Sequence, residues 1–128
     1  MDVDATVIRA DVTLKSVLRF MRRLRIRQGE LAEHLDSLMV VDRANRLRGF
    51  LPLSNLVSME LDAKVADVMN EAVISFTPLQ AASKVARTFA DKDLISAPVV
   101  DENNYLLGRI TVDDVIDVLR DESDRELL

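Results

Sequence analysis

The fold is decided by a stretch near the end of the chain, Pro98-Val99-Val100-Asp101-Glu102-Asn103-Asn104-Tyr105-Leu106-Leu107-Gly108-Arg109-Ile110. A related stretch occurs earlier, Met39-Val40-Val41-Asp42-Arg43-Ala44-Asn45-Arg46-Leu47-Arg48-Gly49-Phe50-Leu51. Matching residues of the two stretches, such as Gly49 and Gly108, lie 59 residues apart. A repeat of this length predicts two copies of one supersecondary unit.

Each copy has the pattern of a strand, a tight turn, a second strand and a helix. The paired valines are β-branched and favour a buried strand. Asp and Asn favour the turn because they tolerate left-handed backbone angles. A glycine within the second strand indicates a β-bulge or the close approach of another group. Thr111 is then placed to cap a helix that runs from Val112 to at least Asp121.

The other elements of the first copy follow from its apolar spacing. Residues 5–8 are a candidate opening strand, and helical spacing begins at Leu14, with either Asp11 or Thr13 as the cap. Pro52 is acceptable at the start of the closing helix, because its missing N–H would be unbonded there.

The second copy is predicted to open with a strand at residues 72–76 and a helix that starts at Thr77-Pro78. Two apolar stripes are predicted, a buried one on this helix and a second one on the last helix: Ala82, Val85, Ala86, Phe89 and Ala90; and Val112, Val115, Ile116 and Leu119. The first copy has extra sequence at residues 28–38, and its His34 is interpreted as an ordinary surface residue because a lone histidine makes a weak metal site.

Composition indicates a folded, soluble chain. Its 128 residues are 48% hydrophobic and 30% charged and include no cysteine, which excludes disulfides and thiolate metal sites. No apolar run approaches the roughly 20 residues that cross a bilayer, and no signal pattern is present. We therefore expect a cytosolic protein or a piece of a membrane protein. Residues 65–128 carry 6 basic and 13 acidic side chains, which argues against nucleic acid as a partner.

The last helix carries a row of carboxylates, Asp113, Asp117 and Asp121, at intervals of four residues. Like charges at this spacing repel by roughly a few tenths of a kcal/mol per pair, and acidic residues near a helix C-terminus oppose its dipole. A divalent cation or a basic partner would relieve both effects, since hard cations such as Mg²⁺ prefer carboxylate oxygens. A solvated acidic face explains the row equally well.

The repeated unit resembles the CBS domain, and the pair resembles a Bateman module. The residues that carry this resemblance are Asp67-Val68-Met69, Ala97-Pro98-Val99-Val100-Asp101 and Gly108-Arg109-Ile110-Thr111-Val112-Asp113-Asp114. The resemblance implies an α/β (α+β) fold of two tandem β-α-β-β-α repeats related by a pseudo-twofold axis, in a disc-like homodimer. The repeats are assigned to residues 1–62 and 63–128.

A narrower resemblance, to the end of the CBS pair in MgtE-type magnesium transporters, lies in residues 111–126. It implies a regulatory module on the cytoplasmic side of the membrane, attached to the membrane domain and another cytosolic domain of its parent. In that family Mg²⁺ bound between cytosolic domains favours the closed channel, and loss of Mg²⁺ lets the carboxylates repel. The positions that match acidic ligand positions are Asp93, Asp114, Asp117, Glu122 and Glu126. Arg125 stands where the family often has another acid.

CBS pairs also commonly bind adenine nucleotides, ATP or AMP, through a motif of Gly, a hydroxyl residue for phosphate and an Asp for the ribose. The second copy matches it with Gly108, Thr111 and Asp114, and Ala97 and Pro98 join these as candidate nucleotide-binding residues. The first copy has Pro52 and Asn55 instead, so we expect at most one ribose-competent site. The alternative is that Thr111 is only a helix cap and Asp114 only a first-turn acid.

Three functions therefore compete. The leading one is a magnesium-sensing module of a transporter, and the second is an adenine-nucleotide sensor attached to another enzyme or transporter. An enzyme is not expected, because no nucleophile–base pair and no glycine-rich phosphate loop is present. A purely structural dimerisation module is the remaining alternative.

Overall fold

The computed structural model describes residues 7–28, 37–58 and 60–126. The chain divides into two compact units, the first ending at Val73 and the second beginning at Ile74. Within the described ranges, no helix is long and apolar enough to cross a membrane.

The first unit is a three-stranded sheet with its helices, in the predicted order strand, helix, strand, strand, helix, followed by one further short helix. Its elements are β1 (Val7–Arg9), α1 (Leu14–Gln28), β2 (Ser37–Val41), β3 (Leu47–Pro52), α2 (Asn55–Ser58) and α3 (Val65–Val68). β2 lies in the middle of the sheet, parallel to β1 and antiparallel to β3. The extra sequence of this copy falls mainly on residues 29–36, including His34, which lie outside the described residues, whereas Leu38 is a fully buried part of β2.

The structure settles two helix starts in the first unit: the cap of α1, for which the sequence offers two candidates, and the start of the closing helix, which lies later than predicted. Thr13 is the cap of α1, because its Oγ1 accepts a hydrogen bond of 3.2 Å from the N–H of Ser16. Asp11 instead pairs with the guanidinium group of Arg9 at 2.5 Å. The closing helix begins at Asn55 rather than at Pro52, since Pro52 is still paired within the sheet.

The second unit has the elements α4 (Ala82–Asp91), β4 (Ser96–Val100), β5 (Leu106–Thr111) and α5 (Val112–Glu126). β4 and β5 are antiparallel. The predicted opening strand at residues 72–76 is reduced to one position, Phe76, which forms a parallel bridge to Val99. Before it, the N–H of Val73 is bonded to the carbonyl oxygen of Glu71 at 2.9 Å and not to a neighbouring strand.

Both hairpin turns have the predicted chemistry. Asp42 Oδ1 accepts two hydrogen bonds of 2.9 Å from backbone N–H groups of its own turn, and Asp101 does the same at 2.9 and 3.0 Å. Asn45 and Asn104 both have a left-handed φ of 69°. The bond from the backbone N–H of Arg46 lowers the pKa of Asp42 below its usual value.

Each hairpin also has a bulge directly before its glycine, where Arg48 and Leu107 have no partner in the register. The two glycines differ in their surroundings. A Cβ on Gly49 would overlap the backbone carbonyl of Asn70, whereas a Cβ on Gly108 would meet nothing within 4 Å. The close approach that the sequence offered as one explanation of these glycines is therefore present in the first copy alone.

Each unit has its own hydrophobic core. The least exposed side chains of the first unit come from its helices and its sheet: Leu14, Val17, Leu38, Val40, Leu51 and Val65. The core of the second unit contains Phe76, Val85, Phe89, Ala97 and Val115. The rings of Phe76 and Phe89 stack with their centroids 5.6 Å apart, which ties the residue that replaces the opening strand to α4.

The predicted helix stripes of the second unit need two corrections. α4 begins at Ala82, not at Thr77-Pro78, and its Ala90 is exposed. On α5, Val115 is buried and Leu119 is half-buried, but Val112 and Ile116 are 36% and 42% exposed. The packed stripe of α5, which lies against α4 and β5, is therefore narrower than its apolar sequence suggests.

Candidate functional site

The start of α5 holds two of the predicted nucleotide-binding residues. Thr111 Oγ1 accepts from the N–H of Asp114 at 3.3 Å, and Asp114 Oδ2 accepts from the N–H of Thr111 at 3.1 Å. This reciprocal pair is a capping box, in which two backbone N–H groups of the first helical turn find side-chain partners. Thr111 is thus the predicted cap, and the pair holds both side chains at the exposed beginning of the helix.

A cavity of about 310 Å³ lies next to this helix start, within the second unit. Its lining is mostly apolar: Phe76, Thr77, Pro78, Gln80, Ala82, Val85, Val99, Ile110, Val115 and Val118. Ile110 and Val115, the chain neighbours of Thr111 and Asp114, line the cavity, whereas the two capping-box residues themselves do not. A largely apolar pocket with a few polar groups is the usual form of a small-molecule site.

The other predicted nucleotide-binding residues, Ala97, Pro98 and Gly108, do not line the cavity. Ala97 is buried in the core of the second unit, and the carbonyl oxygen of Pro98 accepts a 3.0 Å hydrogen bond from the N–H of Phe76. Neither residue lines the cavity, whereas their neighbour Val99 does. Gly108 leaves open space above β5.

Sequence reasoning missed the residues that precede α4 as part of the site. Thr77 and Gln80 supply the polar groups of the lining among the described residues, and Gln80 Oε1 accepts a 2.9 Å hydrogen bond from the N–H of Thr77. The signal was present as a helix start at Thr77-Pro78, followed by a glutamine three residues after the threonine. It was interpreted only as a helix signal.

The equivalent region of the first unit is built differently. Pro52 and Asn55 border an open depression of about 720 Å³ whose other lining residues are 66–72. Asn55 Nδ2 donates to the carbonyl oxygen of Val68 at 3.3 Å, so its side chain is bonded to the segment that follows it. Since Pro52 has no hydroxyl group, the first copy lacks the paired groups found at the start of α5.

The candidate metal ligands do not form a complete site among the described residues, where no group of three or more ligating side chains occurs. Asp114 and Asp117 are exposed on α5, as are Asp113 and Asp121. One oxygen of Asp114 is already occupied by the capping box. Glu122 and Glu126 fall in the last turns of α5, and their side chains lie outside the described part of the chain.

Asp93 has a backbone role at the end of α4. Its φ is 52°. The N–H of Leu94 donates to the carbonyl oxygen of Phe89 at 2.9 Å, and the N–H of Asp93 donates to the carbonyl oxygen of Ala90 at 3.4 Å. This is the Schellman arrangement, in which the residue after the helix cap adopts a left-handed conformation. The structure accounts for Asp93 without a metal.

Comparison with known proteins defines the class of the chain. The family model of the CBS domain matches residues 65–121, which include the cavity and the capping box. These residues form a CBS domain, and the chain as a whole has the fold of a CBS pair.

More particularly, the chain is homologous to a segment of the MgtE magnesium transporters. It is 37% identical over 127 residues to the MgtE of Thermus thermophilus and 36% identical over 123 residues to that of Enterococcus faecalis, which is 99% and 96% of this chain. It spans about a quarter of the length of these relatives, 27% and 26%. The solved cytosolic domain of the Mg²⁺ channel MgtE in complex with ATP is 39% identical, with a TM-score of 0.75, over 88% of this chain and 44% of that one.

Proposed function

We propose that this chain is a regulatory module of a magnesium transporter, on the cytoplasmic side of the membrane, attached to the membrane domain and another cytosolic domain of an integral membrane protein. The observation that carries the proposal is its 37% identity to a magnesium transporter over 127 residues. The module carries out no reaction of its own. It changes the activity of the domain to which it is attached.

The acidic face of α5 supports Mg²⁺ as the regulating ligand. Four exposed aspartates crowd the first three turns of this helix, Asp113, Asp114, Asp117 and Asp121. A divalent cation that binds one arrangement of these carboxylates more tightly than another shifts the population toward that arrangement. Asp114 and Asp117 are one turn apart and would begin the site, with Glu122, Glu126 or a neighbouring domain completing it.

Magnesium is expected to raise the melting temperature of the chain at constant ionic strength, with NaCl compensating. A ligand that binds only the folded state adds RT ln(1 + [L]/Kd), which is about 2.7 kcal/mol at 100 times Kd. Differential scanning fluorimetry over a range of MgCl₂ concentrations measures the rise. The double variant Asp114→Asn with Asp117→Asn is expected to lose it.

The matched control is Asp113→Asn with Asp121→Asn, which removes the same charge from the same helix without touching the predicted ligands. If both double variants lose the rise equally, the cation acts on net charge. If the Asp114→Asn, Asp117→Asn variant keeps the rise, the assigned ligands are wrong. A parent chain with the same melting temperature in MgCl₂ and NaCl would contradict magnesium sensing by this module.

Self-association is the second part of the proposal, supported by apolar side chains that α5 leaves exposed. Val112, Ile116 and Val118 are 36%, 42% and 43% exposed, and burying such side chains stabilises an interface. We expect sedimentation equilibrium to give the mass of two chains at micromolar protein. Ile116→Asp is expected to shift it toward one chain, whereas a parent mass of one chain, 14.4 kDa, at all concentrations would contradict the dimer.

A second candidate function, binding of an adenine nucleotide such as AMP or ATP, is favoured by the cavity of the second unit. Its apolar walls suit a planar base, and its lining includes Ile110 and Val115, the chain neighbours of Thr111 and Asp114, which the family motif assigns to phosphate and ribose. The two functions share Asp114, whereas Asp117 and Asp121 continue the acidic row along α5 and belong to the cation proposal alone.

A further inference from the structure

The geometry points to Gln80 as the residue that selects the base in the cavity of the second unit, by donating a hydrogen bond from Nε2 to a ring nitrogen of the bound heterocycle. The inference rests on the proposed nucleotide binding and adds a specificity-determining residue to it. It is carried by the way the side-chain amide is held at the cavity wall.

The orientation of the Gln80 amide is set by the backbone. Its Oε1 accepts a 2.9 Å hydrogen bond from the N–H of Thr77, and the backbone N–H of Gln80 donates to the carbonyl oxygen of Thr77 at 3.2 Å. Only the oxygen of an amide accepts a hydrogen bond from an N–H group, so the nitrogen must occupy the other branch. No described residue accepts from that nitrogen.

Because the other side chains that line the cavity are mostly apolar, the Gln80 donor is the group that distinguishes one bound ring from another. Apart from Thr77 and Gln80, the cavity residues of the described chain are apolar. Aliphatic and aromatic walls contact any planar ring similarly, so they hold a base without distinguishing its edge. Since Oε1 is turned toward the Thr77 N–H, the other edge of the Gln80 amide carries the Nε2 donors. These donors favour a ring edge that presents an unprotonated nitrogen over one that presents an N–H group.

A series of adenine nucleotides tests the role. AMP presents three unprotonated ring nitrogens, and 1-deaza-, 3-deaza- and 7-deaza-AMP each lack one of them. We expect titration calorimetry to show one of these analogues binding the parent chain about tenfold more weakly than AMP. The other two analogues are expected to bind within about threefold of AMP.

Two variants separate the donor from the rest of the side chain. Gln80→Glu keeps an oxygen for the Thr77 N–H but loses the donors, and Gln80→Met keeps the length without charge or donors. Both are expected to bind AMP about tenfold more weakly and to stop distinguishing the analogue that the parent rejects. Agreement between a charged and a neutral variant excludes repulsion of the AMP phosphate as the cause, and melting curves check that each variant is folded.

The outcomes distinguish this inference from the function on which it rests. If the parent binds AMP and all three analogues equally, or if both variants keep the parent's ranking of analogues, Gln80 does not read the base. If the parent binds neither AMP nor ATP, the nucleotide function itself fails, and the inference with it.

Discussion

Replacing Gly49 by alanine is expected to lower the free energy of unfolding of the first unit by about 2–3 kcal/mol. The new Cβ would overlap the carbonyl group of Asn70. That carbonyl accepts from the N–H of Phe50 at 2.9 Å, and the N–H of Asn70 returns a bond of 2.8 Å to Phe50. Relief of the overlap therefore requires that these paired bonds lengthen or break.

Gly108→Ala is the matched control, because it makes the same change at the equivalent position of the second copy. Nothing lies within 4 Å of a Cβ built there, and neither glycine has a left-handed φ. We expect its effect to stay within about 0.5 kcal/mol. Urea unfolding measures both variants, and a lower midpoint at unchanged slope identifies a stability change. Equal losses in the two variants would contradict the close approach at Gly49.

The hairpins could be predicted from the sequence because their chemistry is local. An aspartate that accepts from the backbone of its own turn and an asparagine with positive φ are properties of about five consecutive residues. They are found at Asp42 and Asn45, and again at Asp101 and Asn104. Because the motif occurs twice, the sequence predicted the same pair of strands in both units. It also predicted the order of elements in the first unit.

Contacts between residues far apart in the chain could not be predicted, because they do not follow from local chemistry. The periodicity of residues 72–76 favoured a strand, but Phe76 alone pairs with β4, and Asn70 forms a bridge to Phe50 instead. Both outcomes depend on which backbone groups the surrounding structure leaves available. Strand propensity does not contain that information.

In the candidate site, too, the local pairing could be predicted and the contacts between distant residues could not. Thr111 and Asp114 are three residues apart on one helix start, so their pairing followed from spacing. The cavity beside them is lined by residues from several elements, which no single stretch of sequence brings together. Asp93 was assigned by resemblance alone, and its position reflects the end of α4, where a left-handed residue is needed.

Filling the cavity of the second unit is expected to abolish nucleotide binding. Ala82 lines the cavity at the first residue of α4, so Ala82→Phe places a ring in the space that a base would occupy. Phenylalanine at a half-buried helix start costs little helix propensity, about 0.5 kcal/mol relative to alanine. We expect the affinity for AMP, measured by titration calorimetry, to fall at least about 100-fold, which corresponds to about 2.8 kcal/mol.

Ser83→Phe serves as the control, since residue 83 is the next position on α4, is exposed and does not line the cavity. It adds the same ring to the same helix, so a general effect of phenylalanine on α4 would appear in both variants. AMP binding is expected to persist in Ser83→Phe. A melting curve checks that Ala82→Phe is folded. If the folded variant still binds AMP as the parent does, the nucleotide binds elsewhere, and the cavity of the second unit has no part in recognising it.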